Sequence, residues 1–415
     1  MISLPRDAAV PERLHGLDAL RGIALLLGVA LHATLSYLPG AQHWWLVGDQ
    51  PSVTLAALFF WVHQFRMLTF FLIAGFFGRL LCERLGTTAF IRDRLRRIVL
   101  PLFAFWPVVF AGIIVVVVWI ATIKSGGAPP AEAPPGPKFT PDDFPLTHLW
   151  FLYVLALAYA AMLALRAVIG FIDRRGYLAR IADAAMRLAL RPGVAVVLAA
   201  PLALALYAHP QWTMWFGVPT PDQSLYPNLA ATIGCGGGFV FGWLLQRQAD
   251  LLAVLRRDWP LHLMLALAAT LTCLSITGIA PVLAPAPHDA DTLRYALVYA
   301  LAGWSWAFAL LGIALRFLSG YSPTRRYIAD ASYWVYLVHL PIVMALQVVC
   351  FRLDAPWWIE YPLALVAGLA LMFASYALCV RGTWIGAMLN GRRAARVPAA
   401  DPPQPLRAQA HGDLH

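Results

Sequence analysis

The sequence predicts an all-α, polytopic membrane protein with about ten transmembrane helices and both termini in the cytoplasm. Of the 415 residues, 60% are hydrophobic and only 13% are charged, about half the charged fraction of a typical soluble domain. The hydrophobic residues fall into ten long runs, and the basic residues cluster in alternate loops between them. This composition excludes a disordered chain, a coiled coil and an ordinary cytosolic enzyme.

Each apolar run is close to the roughly 20 residues that a helix needs to cross a bilayer. The predicted spans cover residues 17–38, 55–81, 99–122, 147–169, 193–209, 228–246, 260–283, 294–317, 331–351 and 358–380. The fifth is the weakest, because it is short and ends at His209 and Pro210. Between the fourth and fifth spans, residues 173–191 place apolar and charged side chains on opposite faces, which predicts an amphipathic helix on the cytoplasmic leaflet.

The distribution of Lys and Arg predicts the orientation. With the N-terminus inside, 24 of the 31 basic residues lie in inner segments, and the outer loops hold Lys124, Lys138, Arg294 and Arg352. Cytoplasmic loops are enriched in Lys and Arg, so both termini are predicted to be inside. The net charge of +10 then reflects topology, and no nucleic-acid partner is expected.

The chain therefore divides into three predicted regions. These are a cytoplasmic N-terminal segment (1–16), a transmembrane domain of ten helices (17–381) and a cytoplasmic, disordered tail (382–415). The five cysteines lie in or beside apolar runs without CxxC spacing, which predicts buried apolar side chains and no metal site.

Ionisable residues inside a span are costly, so each is a functional hypothesis. Arg21 and His32 of the first span are eleven residues apart and share one helix face, about 16 Å apart along the axis. Arg21 lies at the cytoplasmic mouth and His32 in the outer half. The structural alternatives are a positive-inside anchor for Arg21 and a helix–helix hydrogen bond for His32.

The second span places His63 and Arg66 on one face, at about the depth of His32. Arg66 is too deep to extend its guanidinium to the interface. No Asp or Glu lies near the middle of any predicted span. The sequence therefore predicts either backbone carbonyl partners or an anionic ligand for Arg66.

Arg94 and Arg97 lie just below the third span, where they are either topology determinants or a clamp for the phosphates of a cytosolic ligand. The fourth span begins near the outer interface with His148 and Trp150, although Trp is common at membrane interfaces whether or not it has a function.

In the ninth span, Tyr336 and His339 share one face. His339 is near the middle of the membrane, where an imidazole needs a partner.

Five segments in this order resemble the acyltransferase-3 family of membrane O-acyltransferases. They are LDALRGIALLLGVALH, FRMLTFFLIAGFF, RLRRIVLP, HLWFLYVL and SYWVYLVHLP. The resemblance covers nearly the whole chain and is strongest to the glucans biosynthesis protein C branch, which succinylates osmoregulated periplasmic glucans. The second segment departs from the family pattern at Leu68, where Pro is frequent, and at Ala74, where Ser is frequent.

The resemblance implies transfer of an acyl group, best a succinyl group, from cytosolic acyl-CoA to hydroxyls of a periplasmic glucan. Succinyl-CoA would be a co-substrate, with no bound cofactor and no metal. Arg21, Arg94 and Arg97 would bind acyl-CoA, and His32 would be catalytic, as general base or as transient acyl carrier. The acyl group or the acceptor would be bound by the remaining candidates, His63, Arg66, His148, Trp150, Tyr336 and His339.

The expected location is the bacterial inner membrane, with membrane lipid and other glucan-synthesis proteins as further partners. The alternatives are an O-acetyltransferase for another cell-surface polysaccharide and a transporter of a glycan or lipid-linked sugar. Transporters of that kind often contain Gly- or Pro-broken helices in matched halves, a pattern that is not evident in this sequence.

Overall fold

The computed structural model describes residues 14–40, 46, 48, 50–126, 136–190 and 195–391, which form a bundle of α-helices. The α-helices are α1 (His15–Thr34), α2 (Val53–Leu85), α3 (Thr87–Arg94), α4 (Leu100–Lys124), α5 (Trp150–Ile172), α6 (Tyr177–Ala189), α7 (Ala195–Tyr207), α8 (Leu229–Leu245), α9 (Leu252–Thr277), α10 (Ala290–Phe317), α11 (Pro323–Cys350), α12 (Trp357–Ser375) and α13 (Trp384–Asn390). Short 3₁₀ or π turns connect several of them. The all-α prediction is confirmed.

Within those residues, eight stretches are long and apolar enough to cross a membrane. They are His15–Tyr37, Val53–Leu85, Thr87–Lys124, Thr147–Ile172, Leu229–Thr277, Ala290–Phe317, Pro323–Cys350 and Trp357–Val380. The stretch 229–277 contains both α8 and α9, so each of the ten predicted apolar runs contains a helix. The helix of the fifth run, α7, is the shortest of the ten: its 13 described residues rise about 20 Å against a hydrocarbon core of about 30 Å, and residues 191–194 before it lie outside the described residues.

Two further predictions concern segments outside the long spans. The amphipathic segment 173–191 contains the helix α6. The tail predicted to be disordered (382–415) begins with α13, whose Asn390 side chain donates a hydrogen bond to the Asp330 carbonyl at 3.0 Å. Residues 392–415 of that tail, and residues 1–13 of the predicted N-terminal segment, lie outside the described residues. The side of the membrane on which the termini lie stays a prediction.

The helices differ in how much of their surface faces protein. In their most apolar windows, α2 and α10 have 67% and 72% of residues buried, whereas the stretches that contain α4 and α5 have 17%. The α1 and α11 stretches are also mostly buried. An inner group of α1, α2, α10 and α11 is therefore surrounded by more peripheral helices. Polar side chains on the inner helices can be satisfied within the protein, away from lipid.

Two glycines allow α8 to pack closely against α2. Gly238 and Gly242 are four residues apart on α8. A methyl group at Gly242 would overlap the Leu72 carbonyl oxygen of α2, and one at Gly238 would lie 2.9 Å from the Leu68 carbonyl oxygen. Small residues at such spacing allow backbone contact between membrane helices. This contact fixes the position of α2, which carries two of the candidate residues, against α8.

We expect Gly242→Ala to lower the free energy of unfolding by about 1–3 kcal/mol, because the added methyl group must push α2 and α8 apart. The measurement is thermal unfolding of the purified protein in detergent. Gly236→Ala is the matched control, since a methyl group there meets no atom within 4 Å and a helical Ala is favoured over Gly by up to about 1 kcal/mol. Equal stability of the two variants would contradict the backbone contact.

Candidate active site

Seven of the ten predicted site residues surround two connected cavities inside the bundle. The main cavity, of about 280 Å³, is lined by His32, His63, Arg66, His148 and Trp150 among others. A smaller inner cavity, of about 20 Å³, shares four of these residues and extends to Tyr336, His339 and the α1 residue Ala24. We call the two together the chamber. His32, His63 and Arg66, which the sequence predicts at one depth, line the same cavity.

A proline in α11 leaves one of the two carbonyl groups that hold His148 without its helical partner. Pro341 has no N–H, so the carbonyl of Leu337 one turn earlier is free to accept another donor. His148 Nε2 donates to this carbonyl at 3.2 Å and to the Tyr336 carbonyl at 3.1 Å. In return, the Tyr336 hydroxyl donates to the His148 carbonyl at 2.9 Å. The segment that leads into α5 is thereby fixed to α11.

The same region of α11 orients His339. Its Nδ1 donates to the Tyr336 carbonyl at 2.7 Å, so in the neutral ring Nε2 carries the lone pair. That Nε2 is buried and has no hydrogen-bond partner among the described residues, and the same holds for His148 Nδ1. The ring centroid of His339 lies 4.6 Å from that of His148 and 5.1 Å from that of His32. The chamber wall therefore presents imidazole nitrogens that can accept protons.

His32 and His63 differ in how firmly they are held. His32 lines both cavities, and its Nδ1 has no partner within the described chain. The ring of His63 stacks on that of Phe59 with 5.2 Å between centroids. Its Nε2 makes a long hydrogen bond, of 3.5 Å, to the Val218 carbonyl. His32 and His148 both line the main cavity and contact His339, but His32 is only half-buried whereas His148 is buried and held by two carbonyl groups.

Arg66 carries its charge into the chamber without a counter-ion. Over the described ranges, no carboxylate lies within ion-pair distance of its guanidinium, no hydrogen bond joins it to a carbonyl, and its Nε has no partner. Of the two expectations from the sequence, the absence of carbonyl partners favours an anionic ligand. Gly28 of α1 makes room for this side chain, because a methyl group there would overlap Arg66 Nη1.

Arg21, Arg94 and Arg97, the three candidates predicted to be cytoplasmic, form a separate cluster on the side of the chamber where α1 begins. Arg94 and Arg97 share the carboxylate of Asp93, and Arg94 also donates to the Tyr159 hydroxyl at 3.4 Å. Arg94 is thus held by protein groups. The side chains of Arg97 and Arg21 are 32% and 37% exposed, and Arg21 also pairs with Asp18 at 3.4 Å. These two are the cations of the cluster that a ligand can reach.

Aromatic residues lie between the arginine cluster and the chamber. The Tyr333 hydroxyl donates to the Arg97 carbonyl, and its ring stacks 6.4 Å from that of Tyr336. Ala24, in the wall of the inner cavity, follows Arg21 by less than one helical turn. The arginine cluster is therefore about one turn away from the inner end of the chamber.

Several lining residues have no signal in the sequence. Thr147, Thr220, Asp222 and Gln223 line the main cavity from loops or loop ends. Loop residues follow no helical periodicity, and only the packing of the segment before α5 against the loop between α7 and α8 brings these side chains to the chamber.

A larger cavity of about 510 Å³ lies between α6, α7 and α8, but it offers different chemistry. Its lining, which includes Met186, Phe241 and Trp304, contains no titratable side chain. An apolar cavity of this kind cannot perform acid–base or nucleophilic catalysis, so the chamber is the candidate active site.

Comparison with known proteins identifies the fold family. A family model described as an acyltransferase domain, of the acyltransferase-3 family, matches residues 14–377. The chain belongs to this family. The match includes every candidate residue, and it confirms the resemblance seen in the sequence. No solved structure matches the chain.

The curated relatives are glucans biosynthesis proteins C. The protein of Shigella boydii serotype 4 (strain Sb227) is 30% identical over 152 residues, and that of Escherichia coli (strain SMS-3-5 / SECEC) is 29% identical over the same length. These alignments cover 35% of this chain and 37% of each relative. The similarity therefore spans well under half of the relatives' length.

We expect Gly28→Ala to slow acyl transfer by about 10- to 100-fold, because the methyl group must displace the Arg66 guanidinium and a small misplacement in a site is costly. Folding should be preserved, since the flexible end of a side chain moves instead of a helix. The measurements are the transfer rate and thermal stability of purified protein. Gly170→Ala, where a methyl group meets no atom within 4 Å, is the control. Wild-type activity in Gly28→Ala would show that the position of Arg66 does not matter.

Proposed function

We propose that the chain is a membrane O-acyltransferase that moves a succinyl group from succinyl-CoA on the cytoplasmic side to hydroxyl groups of a periplasmic glucan. The observation that carries the proposal is the chamber. It encloses imidazole nitrogens able to accept protons and a cation without a counter-ion, and an arginine cluster lies at one end of it. Family membership supports acyl transfer, and the names of the relatives support a glucan acceptor.

The arginine cluster suits the phosphate groups of coenzyme A. Arg21 and Arg97 offer exposed guanidinium groups, which bind phosphate oxygens in a bidentate way, and Arg94 adds positive charge behind them. The pantetheine arm would then pass Tyr333 and Tyr336 toward the inner cavity. This path delivers the thioester to His32 while the nucleotide stays on the cytoplasmic side.

The reaction forms a bond between the acceptor oxygen and the acyl carbon, and it breaks the carbon–sulfur bond of the thioester. If attack is direct, the proton of the acceptor hydroxyl passes to His32 as general base, and the coenzyme A sulfur leaves and takes up a proton as the thiol. If the acyl group is first transferred to His32, the thiol leaves in that step, and the acceptor hydroxyl then attacks the acyl-imidazole and regenerates His32. In this second route His339, in ring contact with His32, offers Nε2 to take the proton of the acceptor hydroxyl.

Arg66 is the reason for proposing a succinyl group as the acyl group that is transferred. A succinyl group carries a free carboxylate at the end opposite the thioester. A buried guanidinium without a protein partner is costly unless a ligand supplies the anion. Binding of that carboxylate by Arg66 would orient the acyl group within the chamber.

His32→Ala should lower glucan succinylation by at least about 100-fold, the usual contribution of a positioned general base or nucleophile. The measurement is mass spectrometry of periplasmic glucan from cells that lack the gene and express the variant, with membrane insertion checked by immunoblot. His288→Ala, an exposed histidine of an outer loop, serves as the control. Full succinylation by His32→Ala would refute the catalytic assignment.

Arg66→Ala should reduce kcat/KM for succinyl-CoA by roughly 10- to 100-fold, the effect of losing a hydrogen-bonded charge pair, and reduce kcat/KM for acetyl-CoA much less. Arg66→Lys, which keeps the charge but loses the planar fork, should fall in between. Steady-state kinetics with both donors provides the test. Equal losses with the two donors would mean that Arg66 does not recognise the succinyl carboxylate.

A further inference from the structure

The outer end of the main cavity is built by the loop between α7 and α8. We call residues 217–228 the mouth loop. Thr220, Asp222 and Gln223 of this loop line the main cavity, and Gln223 is exposed to solvent. The arginine cluster lies beyond the other end of the chamber, where α1 begins. Two substrates can therefore reach His32 from opposite ends.

The mouth loop is held in place by a second outer loop. The Phe144 backbone N–H donates to the Gln223 carbonyl at 3.0 Å, and the Leu225 N–H donates to the Pro141 carbonyl at 2.8 Å. These hydrogen bonds, at Gln223 and two residues after it, fix the backbone before a ligand arrives. Side chains on such a loop can bind with little further loss of conformational entropy.

Asp222 is the acidic residue among those that line the chamber in the described structure. Its carboxylate accepts one hydrogen bond, from Gln223 Nε2 at 3.3 Å, and no ion pair joins it to a cation in the described part of the chain. Burial raises the pKa of this carboxyl. No hydrogen bond connects it to a histidine, so Asp222 does not orient the catalytic base. The remaining acceptor positions of its carboxylate are open to hydrogen-bond donors in the cavity.

The side chains at this end match an uncharged polyol. A carboxylate accepts two O–H hydrogen bonds, an amide both donates and accepts, and a hydroxyl does the same. Trp150, which lines both cavities, offers an apolar indole against which a sugar ring can pack. The negative charge of Asp222 repels a phosphate or carboxylate on the acceptor.

We propose that Asp222, together with Thr220 and Gln223, is the acceptor subsite and selects an uncharged sugar over a phosphate-bearing one. This proposal rests on the proposed function, since it assigns the second substrate of the same chamber. Asp222 is a binding and specificity residue. The acyl-transfer step itself stays with His32.

The test uses the full-length protein in lipid nanodiscs, with succinyl-CoA as donor and a neutral gluco-oligosaccharide as acceptor. Asp222→Asn keeps the shape of the side chain but removes its charge. We expect the KM for the acceptor to rise about 10-fold, because hydrogen bonds from the sugar to a charged group are lost. The kcat and the KM for succinyl-CoA should change less than twofold. Discrimination against the same oligosaccharide carrying one phosphate should fall at the same time.

Asp142→Asn is the matched control, because it makes the same change at an exposed acid of the neighbouring outer loop that does not line the chamber. Its acceptor KM should equal that of the wild type. An Asp222→Asn enzyme with wild-type acceptor KM and wild-type discrimination would overturn the subsite.

Oligosaccharide binding, followed by tryptophan fluorescence without any donor, separates this proposal from the proposed function. Binding that is weakened by Asp222→Asn supports the subsite even if the wild-type protein transfers no succinyl group. Unchanged binding in Asp222→Asn refutes the subsite even if transfer to the glucan occurs.

Discussion

The candidate site depends on two backbone carbonyl groups in the middle of α11. Inside a membrane protein, a carbonyl released from a helix must find a donor within the protein. Pro341 releases the carbonyl of Leu337, and this carbonyl and that of Tyr336 accept hydrogen bonds from His148. The Tyr336 carbonyl also orients His339. Two neighbouring carbonyl groups of one helix thus fix two imidazole rings and the segment that leads into α5, and they leave the other nitrogen of each ring without a protein partner among the described residues.

The second constraint is the charge of Arg66. The bundle makes space for this guanidinium through Gly28, yet it supplies no carboxylate to neutralise it among the described residues. A buried charge of this kind lowers stability. The cost is understandable if the charge acts on a ligand, because a cation that is already neutralised by the protein would bind an acyl carboxylate poorly. The same reasoning distinguishes Arg66 from Arg94, which is satisfied by Asp93 and Tyr159.

Under the proposed function, the chamber also separates the two substrates in space. The arginine cluster lies at one end, where the nucleotide of an acyl-CoA would remain in the aqueous phase, and the mouth loop lies at the other. A group small enough to pass the aromatic residues around Tyr336 can be exchanged between the two ends. Neither large substrate has to cross the bundle, which is consistent with the limited volume of about 280 Å³ in the main cavity.

The sequence alone determined the helical membrane class, the positions of the apolar helices and seven of the residues that line the chamber. It could do so because hydrophobic run length and helical periodicity are local, and because polar groups within apolar helices are conspicuous. Tertiary structure alone decided which nitrogens of His148 and His339 are free, that Arg94 is satisfied while Arg66 is not, and that Asp222 reaches the cavity. These features depend on contacts between residues far apart in the chain, such as His148 with α11 and the mouth loop with Pro141, and such contacts leave no periodic trace in the sequence.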